Sequence, residues 1–402
     1  MKTHLYATLS LLSLVFLSAC GGGSGEVPVI DNSFNIGTGM NSGVLSVATA
    51  TNNSGDIYVG GDFTSVNGLT HNRLVRMNSD GTVDSGFNIG TGMNDRVYNI
   101  NPAIDGSGDV YVGGNFTAVN GVTHNRLVRM NSDGTVDNGF NIGTGMNNYI
   151  RIITPATDGS GDVYVGGNFT TVNGVSHNYL VRLNSDGTVD SGFNIGTGMN
   201  GWVTSIVSAT DNSGDIYVGG LFNTVNGVTH NYLVRLNSDG TVDSGFNIGT
   251  GLNDWVYSIA LAADNSGDIY VGGLFTTING VTHNRLVRMN SDGTVDSVYN
   301  IGTGINDNVV SLAPVADNSG DVYVGGYFNS VNGVTHNRLV RMNSDGTVDN
   351  GFNIGTGMNS WVNSIALASD GSNDVYVGGG FTTVNAISSN YLVGMNPDGT
   401  VE

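Results

Sequence analysis

Short runs of alternating hydrophobic and polar residues, separated by turn-forming residues, recur along almost the whole chain. In the copy that opens at Phe246, Val256–Leu261 alternates, and residues 268–273 (DIYVGG) are rich in β-branched and aromatic side chains. No stretch shows the apolar period of 3.6 residues that is typical of a helix. The pattern predicts two β-strands, joined by a turn of Asp, Asn, Ser and Gly at residues 264–268.

The second half of the same copy predicts two further strands. Residues 285–289 (RLVRM) form the third, after a loop that carries Asn279-Gly280 and His283. Residues 294–296 begin the fourth, after an Asn-Ser-Asp-Gly-Thr turn whose glycine suits a left-handed backbone. Each copy is therefore expected to contain four short antiparallel strands.

The aromatic residue that opens the copy returns at a constant step of 53 residues. It stands at Phe34, Phe87, Phe140, Phe193, Phe246, Tyr299 and Phe352. Seven such copies, with no helix to cover a sheet edge, predict an all-β, seven-bladed β-propeller of four-stranded blades. A solenoid, the alternative, would need atypical polar units at its ends, and the sequence shows none.

The two ends of the repeat complement each other. The chain finishes on GTVE at residues 399–402, where other copies read GTVD followed by SGFN or NGFN. Residues 29–35 (VIDNSFN) supply the missing continuation. We therefore expect an N-terminal strand to complete the last blade and remove its open edge, so that the seven-repeat propeller spans residues 29–402.

The repeat resembles the delta-60 repeat family of bacterial β-propeller-like proteins. Residues 322–328 (VYVGGYF) are similar to its VGG-x-F strand, and residues 337–341 (NRLVR) are similar to its NRLVRLN segment. The basic residue that often follows the first turn in that family is absent here. The resemblance implies the propeller fold, and it implies no established activity and no catalytic residues.

The start of the chain has the features of an export signal. An apolar stretch too short for a membrane span precedes LSAC at residues 17–20. This motif resembles the lipobox of bacterial lipoproteins, which implies that residues 1–19 are a signal peptide and that Cys20 is lipidated. Residues 20–28 would then be the lipidated cysteine and a Gly-rich tether. An ordinary secretory peptide with an incidental thiol is the alternative.

Composition limits the partners of the protein. Acids outnumber bases by 33 to 13, and the formal net charge is −20. Such a surface repels nucleic acid and anionic lipid, so the membrane is expected to hold the chain through the lipid anchor only. Cys20 is the only cysteine, so no internal disulfide is expected. By resemblance to Gram-negative lipoproteins, the absence of Asp after Cys20 favours the outer membrane or cell surface.

The copies differ most just before the first strand. This column, here called the rim column, holds Gly43, Arg96, Tyr149, Trp202, Trp255, Asn308 and Trp361. Every tryptophan of the protein lies in it. Because aromatic residues and Arg are typical anchors of binding interfaces, Arg96, Tyr149, Trp202, Trp255 and Trp361 are the predicted ligand-binding residues. Packing of these rings between adjacent blades is the alternative. A second variable column, here called the channel column, holds Leu45, Tyr98, Arg151, Thr204, Tyr257, Val310 and Asn363.

Three polar columns repeat more regularly. An Arg in the third strand stands opposite an Asp in the fourth, as in Arg288 and Asp296, which predicts a cross-strand ion pair. A His in the loop before the third strand, such as His283, is expected to hydrogen-bond that loop, and to titrate near its ordinary pKa, rather than to bind metal.

The turns between the first two strands follow D-x-S-x-D, the first half of a calcium-loop pattern. They give a calcium alternative to an ordinary polar turn. Its candidate ligands are Asp105, Asp109, Asp158, Asp162, Asp211, Asp215, Asp264, Asp268, Asp317 and Asp321.

The sequence indicates two functional classes. The first is a non-enzymatic, monomeric cell-envelope lipoprotein that binds a glycan or protein ligand on one propeller face, with no catalytic residues and no obligatory cofactor. The second is an exported hydrolase or lyase acting on a polysaccharide or lactone. An enzyme needs a unique acid–base pair, for which Asp95, Asp254 and Asp307 are the candidates.

Overall fold

The computed structural model describes residues 34–402, which lie within one compact unit. The predicted signal peptide (1–19), Cys20, the tether (20–28) and most of the predicted N-terminal strand (29–33) fall outside the described residues. Residues 34–402 are all-β, with strands, turns and bends and no helix. Accordingly, this range contains no helix long and apolar enough to cross a membrane.

Each copy of the repeat forms one antiparallel three-stranded sheet in which the strands follow chain order. The first strands are Val44–Thr49, Val97–Pro102, Ile150–Pro155, Val203–Ser208, Val256–Leu261, Val309–Pro314 and Val362–Leu367. The middle strands are Ile57–Gly61, Val110–Gly114, Val163–Gly167, Ile216–Gly220, Ile269–Gly273, Val322–Gly326 and Val375–Gly379. The third strands are Leu74–Met77, Leu127–Met130, Leu180–Leu183, Leu233–Leu236, Leu286–Met289, Leu339–Met342 and Leu392–Met395. The first three predicted strands of each copy are thus confirmed, and the bulge near the start of each first strand was not predicted.

A two-stranded hairpin lies between the middle and third strands of every copy, where only a loop was predicted. The seven hairpins pair Ser65–Val66 with Leu69–Thr70, Ala118–Val119 with Val122–Thr123, Thr171–Val172 with Val175–Ser176, Thr224–Val225 with Val228–Thr229, Thr277–Ile278 with Val281–Thr282, Ser330–Val331 with Val334–Thr335, and Thr383–Val384 with Ile387–Ser388. The backbone φ angle is +51° at Asn279 and +76° at Gly280. Two consecutive positive φ angles are typical of the tight type I′ turn that Asn-Gly favours. The Asn-Gly pair was therefore the signal from which the hairpin could have been predicted.

The predicted fourth strand is reduced to a single bridge between Met289 and Val295, and equivalent bridges occur in the other six copies. Asp296 explains why pairing stops, because its carboxylate accepts a hydrogen bond from the amide of Val298 at 2.8 Å. Such a side-chain turn directs the backbone away from the sheet. The prediction of four-stranded sheets is therefore not confirmed.

The hydrophobic core lies between successive sheets. The middle strand of one sheet contacts the first strand of the next at the first glycine of its Gly-Gly pair. A Cβ atom on Gly272 would lie 2.5 Å from Cγ1 of Val309 in the following copy. Side chains are excluded there because core contacts are already close-packed. The first glycine of each pair thus allows neighbouring sheets to approach each other, whereas a Cβ atom on the second, Gly273, would clash with the Trp255 carbonyl of its own sheet.

Hydrogen bonds that join each copy to the next also join the last copy to the first. Asn284 Nδ2 donates to the carbonyl of Thr303 at 2.8 Å, and Asn390 Nδ2 donates to Thr38 at the same distance. The amide of Val47 donates to Ser364 Oγ at 2.9 Å. The first strands of the first and last copies contact each other as well. The two ends of the described chain are therefore adjacent.

Phe34 contributes to the same junction. In other copies the opening aromatic packs on a tyrosine of the preceding copy, as Phe246 does on Tyr217 with ring centroids 5.3 Å apart. Phe34 packs in this way on Tyr376 of the last copy, at 4.9 Å. The backbone amide of Phe34 also donates to the Glu402 carboxylate at 3.0 Å. Phe34 thus packs on the last copy in the same way as the opening aromatic of each later copy packs on the copy before it.

Candidate functional site

The first strands of all seven copies line one channel with a volume of about 750 Å³. This volume is within the range of about 300–1,000 Å³ that is common for ligand sites. The seven residues of the channel column all line it. The second variable column of the sequence is therefore the channel lining, and the positions at which the copies differ meet around one cavity.

Hydrogen bonds between neighbouring first strands define the wall of the channel. In six places a Ser or Asn side chain accepts from an amide of an adjacent copy, as Ser205 Oγ does from Ile259 N at 2.9 Å. The series is interrupted at Ile152, which stands where other copies carry the accepting side chain. Buried polar groups in β-structure need such partners, so these side chains keep the wall rigid.

The rim column does not line the channel, and its three tryptophans are exposed. Trp202 and Trp255 are each 38% exposed, and Trp361 is 41% exposed. Arg96 is exposed and pairs with Asp62 of the preceding copy, with Nε 2.8 Å from Oδ1. Tyr149 is half-buried, and its hydroxyl accepts a hydrogen bond from Asn168 Nδ2 at 2.6 Å. The predicted binding residues therefore combine contact between copies with exposed aromatic surface.

One stacked pair was not predicted. The rings of Trp361 and Tyr327 lie 5.8 Å apart at an interplanar angle of 13°. Tyr327 is 38% exposed and also lines the channel. This Tyr–Trp stack could not be inferred from the sequence, because Tyr327 follows the Gly-Gly pair of one copy and Trp361 precedes the first strand of the next. The pair links the rim column to the channel.

Arg151 lies where the rim column and the channel column meet. Its guanidinium carbon is 5.3 Å from the ring centroid of Tyr98, 5.2 Å from that of Tyr149 and 5.9 Å from that of Trp202. These are cation–π distances. Among the residues that line the channel, Arg151 alone carries a charge.

The arginines that recur in the third strands form a different arrangement, and the predicted cross-strand ion pair is confirmed. Arg288 Nε lies 3.3 Å from Asp296 Oδ2. Its Nη2 also lies 2.5 Å from Asp264 Oδ2 and 2.9 Å from Asp268 Oδ2, so one guanidinium forms ion pairs with three carboxylates. The network is buried, because Arg288 is only 5% exposed. Tyr270 packs against the guanidinium at 5.5 Å.

The pKa values in this network follow from burial and charge. Burial by itself lowers the pKa of Arg288, but the hydrogen bonds and charges of its partners raise that pKa above the ordinary value. Burial raises the pKa of Tyr270 to about 12. At Asp211, burial opposes ionisation, but the Ser213 hydroxyl and Arg235 together lower the carboxyl pKa to about 2. Asp211 is thus ionised at neutral pH, and Tyr270, in the copy of Arg288, remains a neutral hydrogen-bond donor.

The same contacts bear on the calcium alternative. In four copies a guanidinium contacts both acids of the D-x-S-x-D turn, at the position where a cation would be held, as Arg129 contacts Asp105 and Asp109. Within residues 34–402, no group of three or more His, Cys, Asp or Glu side chains is arranged to hold a metal ion. In these four copies the turn does not fit calcium, because an arginine already supplies the positive charge. In the fifth candidate turn, Arg341 contacts only one of the two acids, Asp321.

The histidine column lies in the loop before the third strand. The amide of His283 donates to Thr276 O at 2.9 Å, so the backbone at this position ties the loop. Burial lowers the pKa of the imidazoles of His71, His124, His177, His230, His283 and His336. The prediction that they titrate near the ordinary value is therefore wrong.

The three acids on which the enzyme alternative depends have local roles. Asp95, Asp254 and Asp307 each accept a hydrogen bond from the amide of the next residue, at 2.8, 2.9 and 2.8 Å respectively. Asp95 also accepts from Asn115 Nδ2 at 2.8 Å. None of the three lines the channel. In this structure they orient the rim column, whose residues follow directly in the chain.

Comparison with models of protein families shows the family to which the chain belongs. The model described as "Domain of unknown function (DUF5122) beta-propeller" matches six segments: 53–87, 106–140, 159–193, 212–246, 265–297 and 318–352. Together these cover more than half of the 402 residues. The chain belongs to the DUF5122 β-propeller family. Each DUF5122 segment starts in the turn after a first strand and ends near the next opening aromatic, so the segments recur with the same period as the repeat in the sequence.

Solved structures resemble this DUF5122 protein in fold alone. The WD40 β-propeller domain of Doa1 is 13% identical, with a TM-score of 0.55, and the match covers 85% of this chain and 91% of that one. The extracellular domain of the hybrid two component system BT3049 from B. thetaiotaomicron is also 13% identical, with a TM-score of 0.51, covering 85% of this chain and 39% of that one. No curated protein matches the chain. Both likenesses support a propeller-like repeat.

Proposed function

We propose that this protein is a non-enzymatic binding module of the bacterial cell envelope that holds a glycan on the face formed by the rim column. In this proposal the chain is a lipoprotein of the delta-60 repeat type, anchored through Cys20 in the outer membrane or at the cell surface, and acts as a monomer. Its seven sheets close into a seven-bladed ring, completed by the N-terminal segment. The junction between Asn390 and Thr38 supports closure.

The single observation that carries the binding proposal is the exposed aromatic surface around the channel. Trp202, Trp255 and Trp361 are 38–41% exposed. Flat aromatic rings are suited to the apolar faces of sugars, and they lose little conformational entropy on binding. A protein ligand is the alternative occupant of this surface. The enzyme class has less support, because the acids that it requires orient the rim column instead.

A glycan array tests the proposal with the purified full-length chain. We expect the wild-type protein to bind a subset of glycans, and a variant with Trp202→Ala, Trp255→Ala and Trp361→Ala to lose that binding. A matched control replaces three valines of the short hairpins, Val175, Val228 and Val281, which are 60–61% exposed and lie outside the channel. Binding that survives the tryptophan variant, or an array without any hit, would contradict the proposal.

A further inference from the structure

The channel has the opposite charge character to the rest of the protein. The formal net charge of the chain is −20. The channel lining contains no Asp and no Glu, and its only charged side chain is Arg151. A cavity lined by one sign of charge selects ligands of the other sign at short range. At about 0.15 M salt, repulsion by acids more than about 8 Å away is largely screened.

The guanidinium of Arg151 is fixed by rings rather than by carboxylates. Tyr98, Tyr149 and Trp202 surround it at 5.2–5.9 Å. Across the described residues Arg151 forms no ion pair, and its buried Nε has no hydrogen-bond partner. Arg288, by contrast, is held by three carboxylates. Since a guanidinium carries five N–H donors in a planar fork, Arg151 retains the donors that bind a carboxylate through two parallel hydrogen bonds.

Two tyrosines extend this donor set. Tyr257 and Tyr327 line the same channel. Burial raises the pKa of both hydroxyls, the charge of Asp254 adds to this rise at Tyr257 and that of Asp307 at Tyr327, and the charge of Arg151 opposes it. Both hydroxyls therefore stay protonated at neutral pH and lie within electrostatic reach of the guanidinium. A ligand carboxylate at Arg151 would have neutral O–H donors beside it, with aromatic rings for the remainder of the molecule.

We propose that the channel mouth is a subsite for a carboxylate-bearing sugar, a hexuronate, with Arg151 as the residue that binds the carboxylate. The inference rests on the proposed glycan-binding function and names the class of glycan. The carboxylate of a hexuronate is attached directly to the sugar ring. One residue of the glycan can therefore present its carboxylate to Arg151 while neighbouring sugars lie on Trp202 and the other rim rings.

Isothermal titration with matched ligands separates the two proposals. The probes are a hexuronate oligosaccharide, its carboxyl-reduced neutral counterpart, a sulfated oligosaccharide of the same length and a peptide with a free carboxyl terminus, each measured at about 0.15 M salt. We expect the wild-type full-length chain to prefer the hexuronate over the neutral counterpart by about tenfold or more, as two charge-assisted hydrogen bonds allow. Binding of the neutral sugar alone would overturn this inference and leave the binding function intact. Preference for the peptide or the sulfated sugar would also overturn it, and failure of all sugars would overturn both proposals.

The repeat itself supplies variants that should fold. Arg151→Thr introduces the residue that stands at the same position in the next copy, Thr204. We expect this variant to lose the preference for the hexuronate while weak binding of the neutral sugar remains. Arg151→Lys keeps the charge without the planar fork, and an intermediate preference is expected. Arg126→Tyr is the control, because Arg126 lies outside the channel lining and Tyr179, Tyr232 and Tyr391 stand at its position in other copies. Equal losses in Arg151→Thr and Arg126→Tyr would show a general effect of charge and refute the assignment.

Discussion

Replacing Arg288 by Leu should be among the most destabilising single changes in a copy of this repeat. The substitution removes one buried positive charge and leaves three carboxylates, Asp264, Asp268 and Asp296, with side-chain exposures of 23%, 13% and 15%. The guanidinium atoms lie 2.5–3.3 Å from those carboxylates. Without it, three negative charges face each other in a poorly solvated space.

The magnitude follows from charge and burial. At an effective dielectric constant of about 20, each contact of about 3 Å is worth roughly 5 kcal/mol of attraction, much of it offset by desolvation of the ions. Removing one partner of a buried pair costs about 3–5 kcal/mol, because the remaining charge keeps its desolvation cost. We therefore expect Arg288→Leu to lower the free energy of unfolding by about 3–5 kcal/mol at pH 7.

Urea unfolding of Arg288→Leu at pH 7 and at pH 4.5 provides the assay. The loss should be smaller at pH 4.5, since protonation of the crowded carboxylates relieves their mutual repulsion in the variant. The control is Arg285→Tyr, because Arg285 forms no ion pair with described residues and Tyr stands at its position in three other copies. If Arg288→Leu costs less than about 1 kcal/mol, or no more than the control, the reasoning about a buried network is wrong.

Two further predictions concern single positions and pH. Ala386 has a φ angle of +63° where other copies carry glycine, so Ala386→Gly should raise the urea midpoint by the equivalent of about 0.5–1 kcal/mol. Gly280→Ala should lower the midpoint by the equivalent of about 1–2 kcal/mol, because its φ angle is also positive, although the new Cβ would contact nothing within 4 Å. Because burial lowers the histidine pKa values, the neutral imidazoles contribute stability above about pH 6.5 that is lost as the pH falls toward their folded values. The urea midpoint should therefore drop between pH 7.5 and 5.5, and less steeply in His283→Ser, which introduces the residue of Ser389; a flat or rising profile would contradict this.

Much of the local structure could be predicted because it depends on short-range rules. Alternation and β-branched residues indicated Val256–Leu261 and Ile269–Gly273 as strands. The three-residue turn placed Arg288 opposite Asp296. The fourth strand was overpredicted because the side-chain turn at Asp296 competes with the sheet, and both alternatives are compatible with the same residues.

The candidate site could be predicted only in part. Variation among otherwise similar copies indicated both variable columns, and the structure places them at the rim and along the channel. The acids of the D-x-S-x-D turns suggested calcium because their partner, an arginine 20 or 24 residues later, is brought to them only by the folded sheet. No local sequence pattern predicted that Tyr327 stacks on Trp361, or that Arg151 lies among aromatic rings without an ion-pair partner in the described chain.

The sequence by itself determined the repeat, the strand pattern within each copy and the positions at which the copies differ, because these depend on periodicity and turn chemistry. Only the tertiary structure decided which side chains meet. It brought Arg288 to three carboxylates, and it left Arg151 among aromatic rings in a channel without acids. The physical reason is that the net effect of a charge depends on its neighbours and its burial, and residues one or more copies apart become neighbours only when the sheets pack.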